Sequence, residues 1–92
     1  MNVSARFHGI LADWVGTPTA SFELSADATY TDLMKEIGRR YRKNMPGQLW
    51  DKEKNTFKKQ VQAFGHGRIL NDLAVQLLEG EQVTFLLMMA GG

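Results

Sequence analysis

The chain closes on Ala90-Gly91-Gly92, and the carboxylate of Gly92 is the group whose chemistry and setting single it out. A terminal carboxylate has a pKa of about 3.3–3.7, so near neutral pH it is ionised and a poor acyl electrophile. It can take part in acyl transfer only after activation. Glycine lacks a Cβ and tolerates unusual φ, so Gly91 and Gly92 allow the backbone to pass close to another surface. Other reactive residue types are scarce. With no cysteine, the chain has no thiolate nucleophile, disulfide or thiolate metal site. His8 and His66 are its only histidines, and without cysteine or a spaced carboxylate set they define no metal site. No nucleophile, base and orienting group fall into a recognisable pattern, so an independent enzyme is not expected.

Composition narrows the class further. A chain of 92 residues is one domain by length, with little room for an enclosed active site. Its 43% hydrophobic and 23% charged content is that of a soluble globular domain. The longest apolar stretch, Val83 to Ala90 broken by Thr84, is too short to span a bilayer, and the N-terminus carries no basic start and apolar run. A cytoplasmic protein without membrane contact is expected. The net charge of +1 gives no general drive toward nucleic acid. The basic runs Arg39 to Lys43 and Lys52 to Lys59 have acidic residues in or beside them, such as Glu36 and Glu53, and read as solvated faces.

Several elements must position that carboxylate. Val3, Ala5 and Phe7 alternate with Ser4, Arg6 and His8, the period-two pattern of a half-buried strand. Residues 9–16 lose the alternation and suit a turn with a short helical piece ended by Gly16 and Pro18. Ala20, Phe22 and Leu24 resume it, and a hairpin with the first strand is the simplest arrangement. From Thr29 to about Lys43 the period changes: Leu33, Ile37 and Tyr41, with Met34, make one apolar helix face. Thr29 and Asp32 supply its N-terminal cap, and Asn44-Met45-Pro46-Gly47 breaks it.

Gln48 to Lys59 reads as an irregular or hairpin excursion over the sheet surface, around Leu49, Trp50 and Phe57. Gln60 to Gly65 suits a strand, turning at His66-Gly67 into a short piece through Leu70. Asn71 and Asp72 open a single turn carrying Leu73, Leu77 and Leu78. Glu79-Gly80-Glu81 then leads into a last strand from Gln82 to about Met88. Phe7, Phe22, Leu33, Ile37, Val61, Val83 and Phe85 are the expected core. A mixed sheet over one main helix buries both apolar faces, which predicts an α+β, β-grasp (ubiquitin-like) domain over residues 1–88 and an extended tail over residues 89–92.

Over essentially its whole length the sequence resembles the MoaD/ThiS family of ubiquitin-like sulfur carriers, of the molybdopterin synthase small subunit type. The resemblance is carried by Phe7 to Gly16, by Thr29-Tyr30-Thr31-Asp32-Leu33, by Phe64-Gly65-His66-Gly67-Arg68, and most specifically by Leu78-Glu79-Gly80-Glu81-Gln82-Val83-Thr84-Phe85 with Ala90-Gly91-Gly92. It implies that a ubiquitin-activating-type adenylyltransferase uses ATP to adenylate Gly92, and that sulfur then displaces AMP to leave a thiocarboxylate. Gly91 and Ala90 would give the tail access to that enzyme. No cofactor is expected to bind the chain itself. The sulfur would pass to a molybdopterin synthase large subunit or another acceptor, for molybdenum or tungsten cofactor assembly.

Ordering a free tail costs roughly 1–2 kcal/mol of backbone entropy per residue, so contacts elsewhere must offset it. Val83, Phe85 and Leu87 share one face of the last strand, and Thr84, Leu86 and Met88 the other. One set fills the core, which leaves apolar side chains near solvent beside the tail; Leu86, Met88 and Met89 are the expected partner contacts. Where many family members carry two prolines before the tail, this chain has Leu87-Met88, which predicts a longer last strand and a more mobile exit. Other readings of the same tail are a modifier conjugated to lysines and a carrier for thiamine or tRNA thiolation. A β-grasp interaction module with an incidental tail is the alternative of another class.

Overall fold

The alternation of Val3, Ala5 and Phe7 produces strand β1 (Asn2–Phe7), with all three side chains buried. The computed structural model describes residues 1–88. Strand β2 (Thr19–Glu23) pairs antiparallel with β1 and buries Phe22, as the second alternation predicts. Between them lies helix α1 (Ile10–Val15), which buries Leu11 and Val15. It stops at Gly16, whose φ of 97° is the left-handed conformation glycine tolerates.

Helix α2 (Tyr30–Tyr41) begins at Thr29, whose backbone N–H donates to the Asp32 carboxylate at 2.8 Å. Its buried residues are Tyr30, Leu33, Met34, Ile37 and Gly38, so the predicted stripe faces the sheet. After Tyr41 the chain tightens into a 3₁₀ turn at Arg42–Asn44. Strands β5 (Val61–Phe64) and β6 (Gln82–Leu87) complete a four-stranded sheet in the order β2-β1-β6-β5, in which β6 runs parallel to β1 and antiparallel to β5. A mixed sheet holding one main helix with the final strand at its centre is the β-grasp, ubiquitin-like architecture. Among the described residues no helix is long and apolar enough to cross a membrane.

Residues 48–59 depart from expectation in an instructive way. They form a hairpin of β3 (Trp50–Asp51) and β4 (Thr56–Phe57), but it closes the core rather than lying over the sheet surface. Leu49 and Trp50 are buried. The Phe57 ring lies 5.1 Å from Trp50 and 5.1 Å from Phe85, while Phe85 stacks on Phe7 at 5.5 Å. Each such aromatic pair adds about 0.5–1.5 kcal/mol beyond its buried area, which draws the hairpin inward despite its lysines. Close approach to α2 requires Gly38, where an added Cβ would overlap the Asn55 side chain and stand 2.8 Å from the Trp50 ring. One smaller departure concerns the core: Val61 is only half-buried. Of the three leucines in residues 71–80, Leu77 is enclosed while Leu73 and Leu78 are exposed.

Candidate functional site

The candidate site is the end of β6, and its geometry follows from the register. Pairing with β1 ends at Phe7↔Phe85, because the chain then leaves the sheet through His8 and Gly9 into α1. Pairing with β5 continues to Val61↔Leu87. Leu86 and Leu87 therefore outrun β1 and have a strand neighbour on one side only. The Met88 N–H extends this edge by donating to the Gln60 carbonyl at 2.6 Å. A proline at position 88 would lack that donor.

The two faces of β6 divide as the alternation predicts. Val83 and Phe85 are fully buried and Leu87 packs against the core from its rim. On the opposite face Leu86 is half-buried and Met88 is 51% exposed. Directly paired residues share a face, so register extends this surface across β5. Leu86 pairs with Gln62, Thr84 with Phe64, and Phe64 with Ile69, which is 54% exposed. Phe64, Ile69, Leu86 and Met88 thus form an apolar strip on the outer face beside the chain's exit. Sequence reasoning found Leu86 and Met88 and missed Phe64 and Ile69. Carrying the alternation of Val61 and Ala63 outward would have placed Phe64 on the solvent side.

The start of β6 is held by a buried carboxylate that sequence reading treated as a turn residue. Leu78 to Glu81 form a tight turn, with the Glu81 N–H donating to the Leu78 carbonyl at 3.0 Å and Gly80 at φ 75°. The Glu81 side chain has no exposed surface. Its Oε1 accepts from Arg68 Nη2 at 2.7 Å and the Leu78 N–H at 2.9 Å; its Oε2 accepts from the His66 N–H at 3.0 Å and Arg68 Nε at 3.1 Å. Burial pushes this carboxyl upward, but the Arg68 guanidinium and the His66 and Leu78 N–H groups outweigh burial and hold it below the ordinary range. His66 is exposed, yet its Nε2 accepts from the Gln82 N–H at 3.2 Å. Gly65 packs against the carboxylate so closely that an added Cβ would overlap it. The signal was available: Glu81 lies two and four residues before Val83 and Phe85, in phase with the buried face.

The remaining predicted site residues, Met89, Ala90, Gly91 and Gly92, lie outside the described residues. Among the described residues no group of three or more His, Asp or Glu side chains is arranged to hold a metal ion. What the described geometry provides is a clamped, centrally placed strand whose exit is flanked by an apolar strip.

No protein-family model matches the chain, and no curated protein matches its sequence. Solved structures do. Small archaeal modifier protein 1 from Haloferax volcanii superposes with a TM-score of 0.82 at 14% identity, covering 100% of both chains. A Pyrococcus furiosus protein described as a candidate molybdopterin converting factor, subunit 1, gives 0.73 at 21% identity over 97% of this chain and 99% of its own. The Haloferax volcanii HVO 2177 protein gives 0.75 at 25% identity over 100% of this chain and 87% of its own. These neighbours share the ubiquitin-like fold.

Proposed function

We infer that the chain is a ubiquitin-like sulfur carrier that acts with a partner enzyme and is not itself an enzyme. The Gly92 carboxylate attacks the α-phosphorus of ATP held by a ubiquitin-activating-type adenylyltransferase, and pyrophosphate leaves. A sulfur nucleophile then displaces AMP from the acyl-adenylate, leaving a C-terminal thiocarboxylate. The acceptor reading favoured here is a molybdopterin synthase large subunit, in molybdenum or tungsten cofactor assembly.

The observation that carries the reading is the end of β6, where the strand outruns β1 beside exposed apolar side chains only a few residues before Gly91-Gly92. Apolar contacts there would offset the roughly 1–2 kcal/mol per residue needed to order a tail in the partner. The Pyrococcus furiosus neighbour supports the cofactor-assembly branch. Incubation with the cognate adenylyltransferase, ATP and a sulfur source is expected to exchange one oxygen for sulfur at the C-terminus. An unchanged intact mass would refute the reading.

The likeness to an archaeal modifier protein favours a second reading, in which the activated Gly92 carboxyl is joined to lysines of other proteins. Gly-Gly remnants on lysine in proteolytic digests would distinguish it.

A further inference from the structure

Four lysines, Lys52, Lys54, Lys58 and Lys59, lie on or beside the β3–β4 hairpin against two carboxylates, Asp51 and Glu53. Among the described residues none of the four forms an ion pair, the recorded pairs being Arg39–Glu36 and Arg68–Glu81. The Asp51 carboxylate is turned into its own loop, accepting the Glu53 and Lys54 N–H groups at 3.0 Å each. The other basic run is differently committed. Arg39 is paired with Glu36 at 2.7 Å, while Arg40 donates to the Ser21 carbonyl at 2.9 Å and lies 4.3 Å over the Phe22 ring.

Beside the hairpin cations lies a largely apolar opening. An open cleft of about 180 Å³ is lined by Tyr30, Thr56, Phe57, Val61, Asn71 and Leu73. Thr56 and Phe57 also line an adjoining cleft of about 390 Å³, together with Asp51, Lys54, Lys58, Lys59 and Gln60. Gln60 is the residue that accepts the Met88 N–H, and Val61 pairs with Leu87, so both clefts adjoin the exit of β6. The floor is preformed. Phe57 is fixed against Trp50 and Phe85, and the Val61 N–H donates to the Lys58 carbonyl at 3.0 Å. A rigid apolar notch reduces the ordering cost of binding, and in the adjoining cleft Lys54, Lys58 and Lys59 outnumber the one carboxylate, Asp51, which favours an anionic partner.

We propose that this notch docks an acidic segment of the protein that receives the tail, seating one large apolar side chain on Phe57 and Val61 with flanking carboxylates on Lys54, Lys58 and Lys59. It is a second contact, on the helix side of the sheet, opposite the Leu86 and Met88 strip. The proposal rests on the reading that a partner receives the tail. Two contacts on opposite faces of the exit would fix the direction in which the tail leaves.

The test uses the full chain, labelled with ¹⁵N, titrated with a synthetic peptide carrying one phenylalanine between runs of Asp and Glu. Saturable shifts are expected at Tyr30, at Leu73 and from Lys54 to Val61. Binding should weaken at least about tenfold in the K54E/K58E/K59E variant, whose urea midpoint serves as the folding check. It should also weaken between about 50 and 500 mM salt, and on Phe→Ala substitution in the peptide. Absence of saturation at about 1 mM peptide overturns the proposal. So do shifts centred on Arg42 and Lys43, or equal binding of the Ala peptide or a single-stranded oligonucleotide. With the adenylyltransferase, the same variant is expected to raise KM about tenfold with kcat unchanged, and an unchanged KM also overturns it. If the peptide docks but the unsubstituted chain is never adenylated, the sulfur-carrier reading fails while the docking cleft stands.

Discussion

Arg68 grips Glu81 through both carboxylate oxygens, Nη2 to Oε1 at 2.7 Å and Nε to Oε2 at 3.1 Å, and the carboxylate so held has no exposed surface. The pair ties the turn after β5 to the first residue before β6. It thereby fixes where the central strand begins, and so how far its end projects. Removing the guanidinium leaves a buried charge with only N–H donors. Arg68→Leu is expected to cost about 3 kcal/mol in urea denaturation, with a melting point lower by about 4–8 °C per kcal/mol for a domain of this size.

The same carboxylate gives a pH dependence of known sign. Its folded pKa lies below the ordinary value, so its stabilisation is fully present above the unfolded pKa and is lost as pH falls through the folded one. The stability difference between the unsubstituted chain and Glu81→Gln is expected to stay level down to about pH 5 and to shrink below about pH 4.3. Urea midpoints measured across that range check it. A difference that grows on acidification would contradict the assignment.

Gly38→Ala separates helix propensity from packing. In an isolated helix the change would stabilise by about 1 kcal/mol. Here the new Cβ would overlap the Asn55 side chain and press on Trp50, and overpacking typically costs about 1–3 kcal/mol. Net destabilisation is expected, measured by thermal unfolding. A gain in stability would mean that the hairpin yields without loss.

These residues mark where the sequence was legible. Periodicity exposes any element with one apolar face, so β1, β2, α2 and β6 were readable, together with the Thr29–Asp32 cap. The inward placement of the β3–β4 hairpin was not, because it is decided by the contact of Phe57 with Phe85, distant in sequence, while its lysines report a solvated surface. Glu81 was misread because a carboxylate beside Gly80 looks like turn chemistry, and two of the groups that make its burial favourable, Arg68 and the His66 N–H, lie thirteen and fifteen residues away. Half of the apolar strip was legible from β6 alone. Phe64 and Ile69 belong to it through register, which the sequence does not state directly.

Met88→Pro removes the N–H donor to the Gln60 carbonyl. The expected loss is about 1 kcal/mol of local stability. Its signature is faster amide exchange at the Val61–Leu87 end of the ladder, with protection near Phe85 unchanged.

Leu86→Asp and Met88→Asp test the strip. Neither side chain belongs to the buried core, and Met88 is half exposed, so Met88→Asp should stay within about 0.5 kcal/mol of the unsubstituted chain. Partner affinity should fall at least about tenfold for each, some 1.4 kcal/mol. Phe85→Ala is the contrasting case: it empties the aromatic cluster and should cost about 3–5 kcal/mol of folding stability. Calorimetric titration against the adenylyltransferase, with urea midpoints alongside, separates the two effects.

Deleting Gly92 discriminates among the functional readings themselves. The deletion leaves a chain ending on the Gly91 carboxyl, with every core contact and backbone bond described for residues 1–88 intact, so the melting point is expected to be unchanged. The Leu86 and Met88 strip also remains, so a partner that docks there should still bind. What should disappear is the chemistry: no adenylate exchange with labelled pyrophosphate and no gain of sulfur, because the carboxyl now falls short of the nucleotide by one residue, about 3.5 Å of extended chain. A sulfur carrier and a lysine-linked modifier both predict this split between retained binding and lost activation. An interaction module predicts that no function is lost, and retention of every partner-dependent phenotype by the shortened chain would decide for it.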